Sequence, residues 1–556
     1  MTDMADIAQI GVFSSAGVVA LALTIPHLVT SLHALQQDDY SNRRFAGWLR
    51  SFRSRVLYPW VGANYLFWVI CYALVILHGS QQGYPIWAVG GSFYSIVLAV
   101  KKPRQPPQKK PLIYTGRARR LLVGSVALAT IFFTIGFLAI LRILTGLGVD
   151  SALATGFAVL VMTLVSIVAA PLAAMAANLV LAPVQASINL MYRVRARRKL
   201  SRFKPMVVGI TGSYGKTSTK YFTEALMESR FRVLKTRASF NTILGVCRAI
   251  NEELGPEHEV LIVEMGAYRR GEIRDMARLT RPHIGVLTAI GPQHLERFGS
   301  IETIEKAKFE LPAALSADGI AVINNDDPRV RRLAATLTKP RVLRYGIDTT
   351  SGELDLAADE IAHGPDGLAF TLVERDGKRT PVKTRLIGLH NVSNILAAAT
   401  VARAAGVTMR EIASAIGRLQ PVPHRLEVHT GPDGVTIIDD AYNSNPIGAF
   451  NALEALKEFR TGRKILVTPG MVELGVEQDA RNQELGVRAA GVCDFVILVG
   501  PNQTAAIRRG LDGAGYAAAK ITTAKNLNDG LEAMKGIVRA GDVVLFENDL
   551  PDLYEE

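Results

Sequence analysis

Residues 209–226 read GITGSYGKTSTKYFTEAL, and this stretch leaves the chain little choice of local structure. The apolar MVVGIT that runs into it predicts a strand, and SYGKTSTKYFTEALMES predicts a helix. A glycine-rich turn between the two exposes backbone N–H groups at a helix N-terminus, where the dipole adds partial positive charge. Gly212 and Gly215 let the backbone approach an anion, Lys216 supplies a point charge, and Thr217 can reach a Mg²⁺ ion. The stretch predicts a phosphate-binding strand–loop–helix unit.

The 556 residues leave room for several domains, and charge divides them sharply. The net charge is +13, yet residues 1–204 hold 21 Lys and Arg against 5 Asp and Glu, so residues 205–556 are slightly acidic. A nucleic-acid protein would carry its basic patches on the folded domain, so no nucleic-acid partner is expected. Cys71, Cys247 and Cys493 are too widely spaced for a disulfide framework or a zinc site.

The basic first part contains uncharged runs at 7–37, 56–100, 121–141 and 151–192. The second is divided by the polar HGSQQGYP, so it reads as two spans; about 20 apolar residues cross a bilayer as a helix. The last run is interrupted by Pro171 and Pro183 and reads as one span followed by an interfacial helix. SNRRFAGWLRSFRSR, KKPRQPPQKK and RVRARRKL are basic, whereas GSQQGYP and GLGVDS are not. The positive-inside rule then gives about five spans, an external N-terminus and cytoplasmic catalytic domains on an inner membrane. The first run lacks a basic leader, which argues against a cleavable signal peptide.

After residue 205 apolar strands alternate with helical stretches: VVGIT, VLIVEM, HIGVLTAI, GIAVIN, VTIIDDAY, KILVTPG, FVILVGP and DVVLFE. This predicts parallel α/β sheets, with ligands beyond the carboxyl ends of the strands. Glu264 closes VLIVEM beside the phosphate loop and is placed to bind Mg²⁺. His294 follows IGVLTAIGPQ as though at a strand end, where a structural role is the ordinary one. Lys308, in EKAKFEL, reads by itself as helix surface.

Taken together and in order, these segments resemble the Mur ligase family, in its D-alanyl-D-alanine-adding branch, over about residues 205–545. TGSYGKTS is similar to the family's phosphate loop, FNTILGV to FNNEIGV, and VEMGAYRRGEI to EMGANHPGEI. GPQHLERFGSIETIEKAKFEL resembles the segment with the metal-site histidine and the lysine after it. GLHNVSNILAAA resembles HNVxNxLAA, IIDDAYNSNP resembles DDSYNANP, and MVELG and NQELGVRAA resemble C-terminal segments. With the transmembrane region that the apolar runs predict (1–200), the resemblance implies a central ATP-binding domain (201–420) and a Rossmann-like C-terminal domain (421–556).

It also implies roles. Gly212, Ser213, Gly215, Lys216, Thr217 and Ser218 would hold the phosphates of ATP. Thr217, Glu264, His294 and a carbamylated Lys308 would hold two Mg²⁺ ions. Asn391 and Asn394 would face adenine, Arg425 the phosphates and Asp440 the ribose, with Asn443 positioning the nucleotide. The implied activity is ATP-dependent amide synthesis between a carboxylate acceptor, soluble or lipid-linked, and an amino-acid or dipeptide amine, in cell-wall precursor synthesis.

Two departures stand out. The family's GDM reads Pro469-Gly470-Met471, and its late KGSR is replaced by ENDLPDLYEE. The membrane part also occupies the place of the domain that grips the acceptor's uridine diphosphate. A membrane-bound ligase building a poly-amino-acid or capsular polymer is the alternative, against which DDAYNSNP favours the cell-wall branch. An ATP-driven transporter is disfavoured, because no LSGGQ-like signature follows the loop and the spans are nearly free of ionisable residues.

Overall fold

The computed structural model describes residues 24–51 and 112–548, apart from residues 38, 238–239, 349–352, 432–433 and 443. Two compact units result, Met1–Ile188 and Asn189–Glu556.

In the first unit, helix Gly116–Gly146 lies along helix Ser151–Val180. Phe133 and Phe137 meet Ala158 and Met162 between them. A smaller core joins Leu32 and Leu35 of the helix over 24–37, Phe45 of helix Asn42–Ser51, and Ala118, Leu121, Ala174 and Ala177. Asn178 donates to Tyr40 O at 2.9 Å and to Asn42 Oδ1 at 2.8 Å, pinning the turn at residue 40. Large apolar side chains face outward, among them Ile131, Ile135, Leu138, Leu172 and Leu179, over seams rich in alanine. Gly116–Gly146 and Ala154–Val180 are both long and apolar enough to cross a membrane. The other expected spans lie outside the described residues, except for the helix over 24–37.

Pro171 does not interrupt its run. It sits inside helix Ser151–Val180, between the buried Ala170 and Ala174, and the break falls at Leu181 instead. Neighbouring apolar helices tolerate an internal proline. Pro183 enters the first turn of helix Ala182–Phe203, where no intrahelical N–H is needed.

The second unit holds two sheets. In the first, β1 (Met206–Thr211), β2 (Val233–Lys235), β3 (Val260–Glu264), β4 (Ile284–Leu287), β5 (Ile320–Asn324) and β6 (Arg341–Gly346) precede β7 (Leu356–Gly364), β8 (Gly367–Glu374) and β9 (Arg379–Thr384). Their order is β2-β3-β1-β4-β5-β6-β7-β8-β9, parallel through β7 and antiparallel beyond. Side chains alternate along a strand, so a strand buried on both faces needs apolar residues throughout. Val208, Ile210, Ile262 and Val286 enter one core with Phe222 and Leu226 of helix Lys216–Met227. Val207, Leu261, Val263 and Leu287 enter the other, with Cys247, Met276 and Leu311 from three helices.

The last turns of helix Ala182–Phe203 dock on that second core. Ala196 is fully buried in it, with Tyr192, Leu200 and Phe203 packed alongside. Asn251 donates to Tyr192 O and Lys199 donates to Asn251 O, both at 3.0 Å.

The second sheet contains β10 (Glu427–Thr430), β11 (Thr436–Asp440), β12 (Lys464–Thr468), β13 (Phe495–Val499), β14 (Ile521–Ala524) and β15 (Val543–Glu547). Its order is β10-β11-β15-β12-β13-β14, parallel except for β10. Asp440, Glu547 and Thr468 therefore sit at neighbouring carboxyl ends, the place where α/β sheets carry ligands.

Candidate active site

The phosphate loop leaves β1 and is braced by the segment after β4. Ser213 N donates to Ala289 O at 2.7 Å, and Ser213 Oγ pairs with the backbone of Gly291 at 3.0 Å. Both glycines are required. Gly212 has φ +149° and a Cβ there would lie 2.0 Å from Thr288 Oγ1; at Gly215, φ +76°, it would lie 2.4 Å from Asn394 Oδ1. Lys216 Nζ folds back over the loop, 2.8 Å from Ser213 O and 3.3 Å from Gln293 Oε1. Burial brings its pKa down to about 8, against the pull of Glu264.

Glu264, at the end of β3, is almost wholly enclosed. It accepts from Thr217 Oγ1 at 3.2 Å, from Asn241 Nδ2 at 3.4 Å and from Lys220 Nζ at 2.9 Å. Oxygen donors of this kind suit a hard divalent cation beside a triphosphate. Lys308 is buried, contrary to its appearance as helix surface. Helix Ile301–Ala313 turns Ile304, Ala307 and Leu311 inward, and Lys308 shares that face. Burial, then the positive charge of Lys216, holds its ammonium well below the usual range.

His294 is not at a strand end. Strand β4 stops at Leu287, and His294 precedes the short helix Leu295–Phe298 with φ +57°. Its Nδ1 meets the Glu473 carboxylate, which also accepts from Arg297 Nη2 at 3.1 Å. Burial lowers the His294 pKa, and Lys216 and Lys308 act on it in the same direction. Lys216, Glu264, His294 and Lys308 thus lie within electrostatic reach of one another, and the carboxylate of Glu264 and the imidazole of His294 are the donors there whose chemistry suits a divalent cation.

The facing wall comes largely from residues beyond 388. Arg425, Asp440, Ser444 and Asn451 join His390, Ser393 and Asn394 around one cleft with Ser213, Lys216, Thr217 and Ser218. Arg425 stacks over Tyr442 at 4.7 Å. Burial, reinforced by Glu547 but opposed by Arg425, pushes the Asp440 pKa up to about 7. Asn394 reaches the cleft, while Asn391 accepts its amide at 3.1 Å and donates to Ile387 O. Asn443 lies outside the described residues. Tyr214, Gln293, His390 and Ser444 line the cleft without having been singled out by the sequence.

Residues 210–402 match the Mur ligase middle domain, and residues 424–547 match the Mur ligase glutamate ligase domain. The chain belongs to the Mur ligase family. It is therefore an ATP-dependent ligase. A UDP-N-acetylmuramoyl-tripeptide–D-alanyl-D-alanine ligase from Mycobacterium bovis is 37% identical over 366 residues, covering 61% of this chain and 69% of the relative. The MurF ligase of Thermotoga maritima, solved in complex with ADP, superposes with a TM-score of 0.57 at 29% identity, over 66% of this chain and 81% of that one. MurF from Acinetobacter baumannii gives a TM-score of 0.59 at 24% identity, covering 66% and 78%, and so shows the shared fold.

In this Mur ligase the two departures from the family pattern meet in space. Asn548 donates to Gly470 O at 2.6 Å and accepts from Ser444 N at 3.1 Å. Glu547 accepts from Thr468 Oγ1 at 2.8 Å and from Ser444 Oγ. Gly470 and the Glu547–Asn548 pair are parts of one polar cluster behind the loop that carries Asp440 and Ser444.

Proposed function

We propose that this Mur ligase joins a carboxylate to an amine through an acyl phosphate, as a MurF-type enzyme of peptidoglycan precursor synthesis. The observation that supports it best is the cleft in which Lys216 and Thr217 face Arg425 and Asp440 across two domains. In the first step a carboxylate oxygen of the acceptor attacks the γ-phosphorus of ATP and ADP leaves. In the second the amine attacks the acyl carbon, loses a proton, and the tetrahedral intermediate expels phosphate. Lys216 and Arg425 hold the phosphate oxygens, and Asn394 and Asp440 orient the nucleoside, with Asn391 fixing Asn394. Ser218 and the loop glycines bring backbone N–H groups to the phosphates, while Ser213 braces the loop through Ala289 and Gly291. Thr217, Glu264, His294 and Lys308, the last as its carbamate, hold two Mg²⁺ ions. Those ions neutralise the repulsion between carboxylate and triphosphate.

The substrates proposed are a muramoyl-tripeptide-type carboxylate and a short peptide or amino-acid amine. We assign the amine side to the cluster of Gly470, Glu547 and Asn548, whose chemistry differs from the family's GDM and KGSR. The acceptor is proposed to be lipid-linked and presented at the bilayer. The stretch MYRVRARRKLSRFK carries seven Lys and Arg, each worth about 1 kcal/mol near anionic lipid. Confinement of enzyme and acceptor to one surface raises their effective concentration.

ATP turnover by the full chain in vesicles, with candidate acceptors and amines added singly and together, tests the reading. Turnover should need both, yield ADP, and disappear in Lys216→Ala. Turnover indifferent to either substrate, or unchanged in Lys216→Ala, would sink it.

A further inference from the structure

We propose that Glu473 is a positioning residue for the metal site, so that cation binding and the closing of the two catalytic domains on each other are one coupled event. The inference rests on reading His294 as a cation ligand.

Glu473 lies in the part matching the C-terminal family domain, and His294 in the part matching the middle domain. They touch through more than one contact. The Glu473 carboxylate takes the Nδ1 side of the His294 ring. Its other oxygen accepts from Arg297 Nη2 at 3.1 Å, and its backbone carbonyl accepts from Glu296 N at 3.3 Å. Tyr268 closes the sides, edge-on to His294 at 4.8 Å and beneath the Arg297 guanidinium at 4.3 Å. Both residues adopt left-handed backbone, φ +57° at His294 and +62° at Glu473, a conformation that non-glycine residues hold where the surroundings impose it.

The chemistry gives this contact a direction. A neutral imidazole donates from one nitrogen and offers a lone pair at the other. A carboxylate at Nδ1 places the proton there and leaves Nε2 as the atom that can take a cation. Carboxylate–histidine–metal arrangements orient the ring and raise its basicity. Here the carboxylate belongs to a different domain from the histidine. The domain that carries Arg425 and Asp440 therefore finishes the metal site as it arrives. By linkage, whatever closure adds to cation affinity, the cation returns as a bias towards closure. An ion pair that merely joined the domains would need Arg297 and Glu473 alone; the histidine contact is what the coupling adds.

The test uses the full chain in lipid nanodiscs with ADP, and Mn²⁺ as the probe. Mn²⁺ affinity is read by electron paramagnetic resonance, and closure by the distance between one spin label on each catalytic domain. Glu473→Gln should weaken Mn²⁺ binding about 10–100-fold and abolish the Mn²⁺-induced shortening of that distance. Arg297→Gln, which removes the ion pair and keeps the histidine contact, should weaken Mn²⁺ far less. Melting temperature and metal-free ADP affinity report the fold, and Glu473→Asp, one methylene short, gives a second reading of the same contact. If His294→Ala weakens Mn²⁺ while Glu473→Gln does not, the inference fails and the ligand reading survives. If His294→Ala leaves Mn²⁺ affinity intact, both fail. Equal losses in Arg297→Gln and Glu473→Gln would reduce Glu473 to a structural latch and overturn the proposal.

Discussion

Lys220 Nζ lies 2.9 Å from the Glu264 carboxylate, and both side chains are shut away from solvent. Lys220 belongs to helix Lys216–Met227 and Glu264 ends β3, the strand that this helix packs against. Removing one partner of such a pair strands the other charge, at a cost of about 3–5 kcal/mol. Lys220→Met should therefore lower the thermal midpoint sharply, and Mg²⁺ with nucleotide should restore part of the loss by giving Glu264 a new counter-charge. The double change with Glu264→Gln should be more stable than Lys220→Met alone. A midpoint within a degree of wild type for Lys220→Met would contradict the pairing.

Lys308 works as a carbamate on the reading proposed above, so its amine is needed only to form a carboxylate. Lys308→Ala should lose on the order of 100-fold or more in turnover, the size of effect expected when a preorganised electrostatic group is removed. Added formate or acetate should recover part of it. Full activity without the lysine, measured as ADP release, would refute the role.

Asp440 should make stability depend on pH. In the fold its pKa is raised to about 7, chiefly by burial, whereas an unfolded aspartate titrates near ~3.9. The folded state holds the proton longer, so its contribution is fully present below the unfolded value and is lost as pH climbs through the folded one. Melting curves should show stability falling between about pH 4 and pH 7, and Asp440→Asn should flatten that decline. A wild-type slope that survives Asp440→Asn would assign it to another group.

Topology is open to a direct measurement. Reporter fusions after Lys110 and Lys204 should read as cytoplasmic, and fusions near Gln82 and Asp150 as external, because basic loops stay inside. A cytoplasmic reading at Asp150 would overturn the count of five spans.

Much of the catalytic half was legible because its strands are buried on both faces and so read as unbroken apolar runs, such as VVGIT and FVILV. The β8–β9 hairpin escaped because its alternating pattern is half solvent-facing. Asp376-Gly377 was its visible signal, with Gly377 at φ +82°. Lys308 could have been read as buried from its place among Ile304, Ala307 and Leu311, at helical spacing. Glu473 could not. It meets His294 across 179 residues, and no local pattern records a contact between separately folded sheets. His294 was placed at a strand end because IGVLTAI looks like one strand, yet the backbone leaves β4 at Leu287 to brace the phosphate loop.

The docking of Ala196 has a practical consequence for anyone who wishes to excise the catalytic half. The family match starts at residue 210, which invites a cut just before β1. Such a cut would discard Tyr192, Ala196, Leu200 and Phe203, which cover a core shared with Val246, Cys247 and Ile250, and would leave Asn251 without two of its partners. The bared patch would be sticky, and the fragment prone to self-association for reasons unrelated to catalysis. The natural place to sever this enzyme lies ahead of Asn189, inside a helix rather than at the border of a recognised domain.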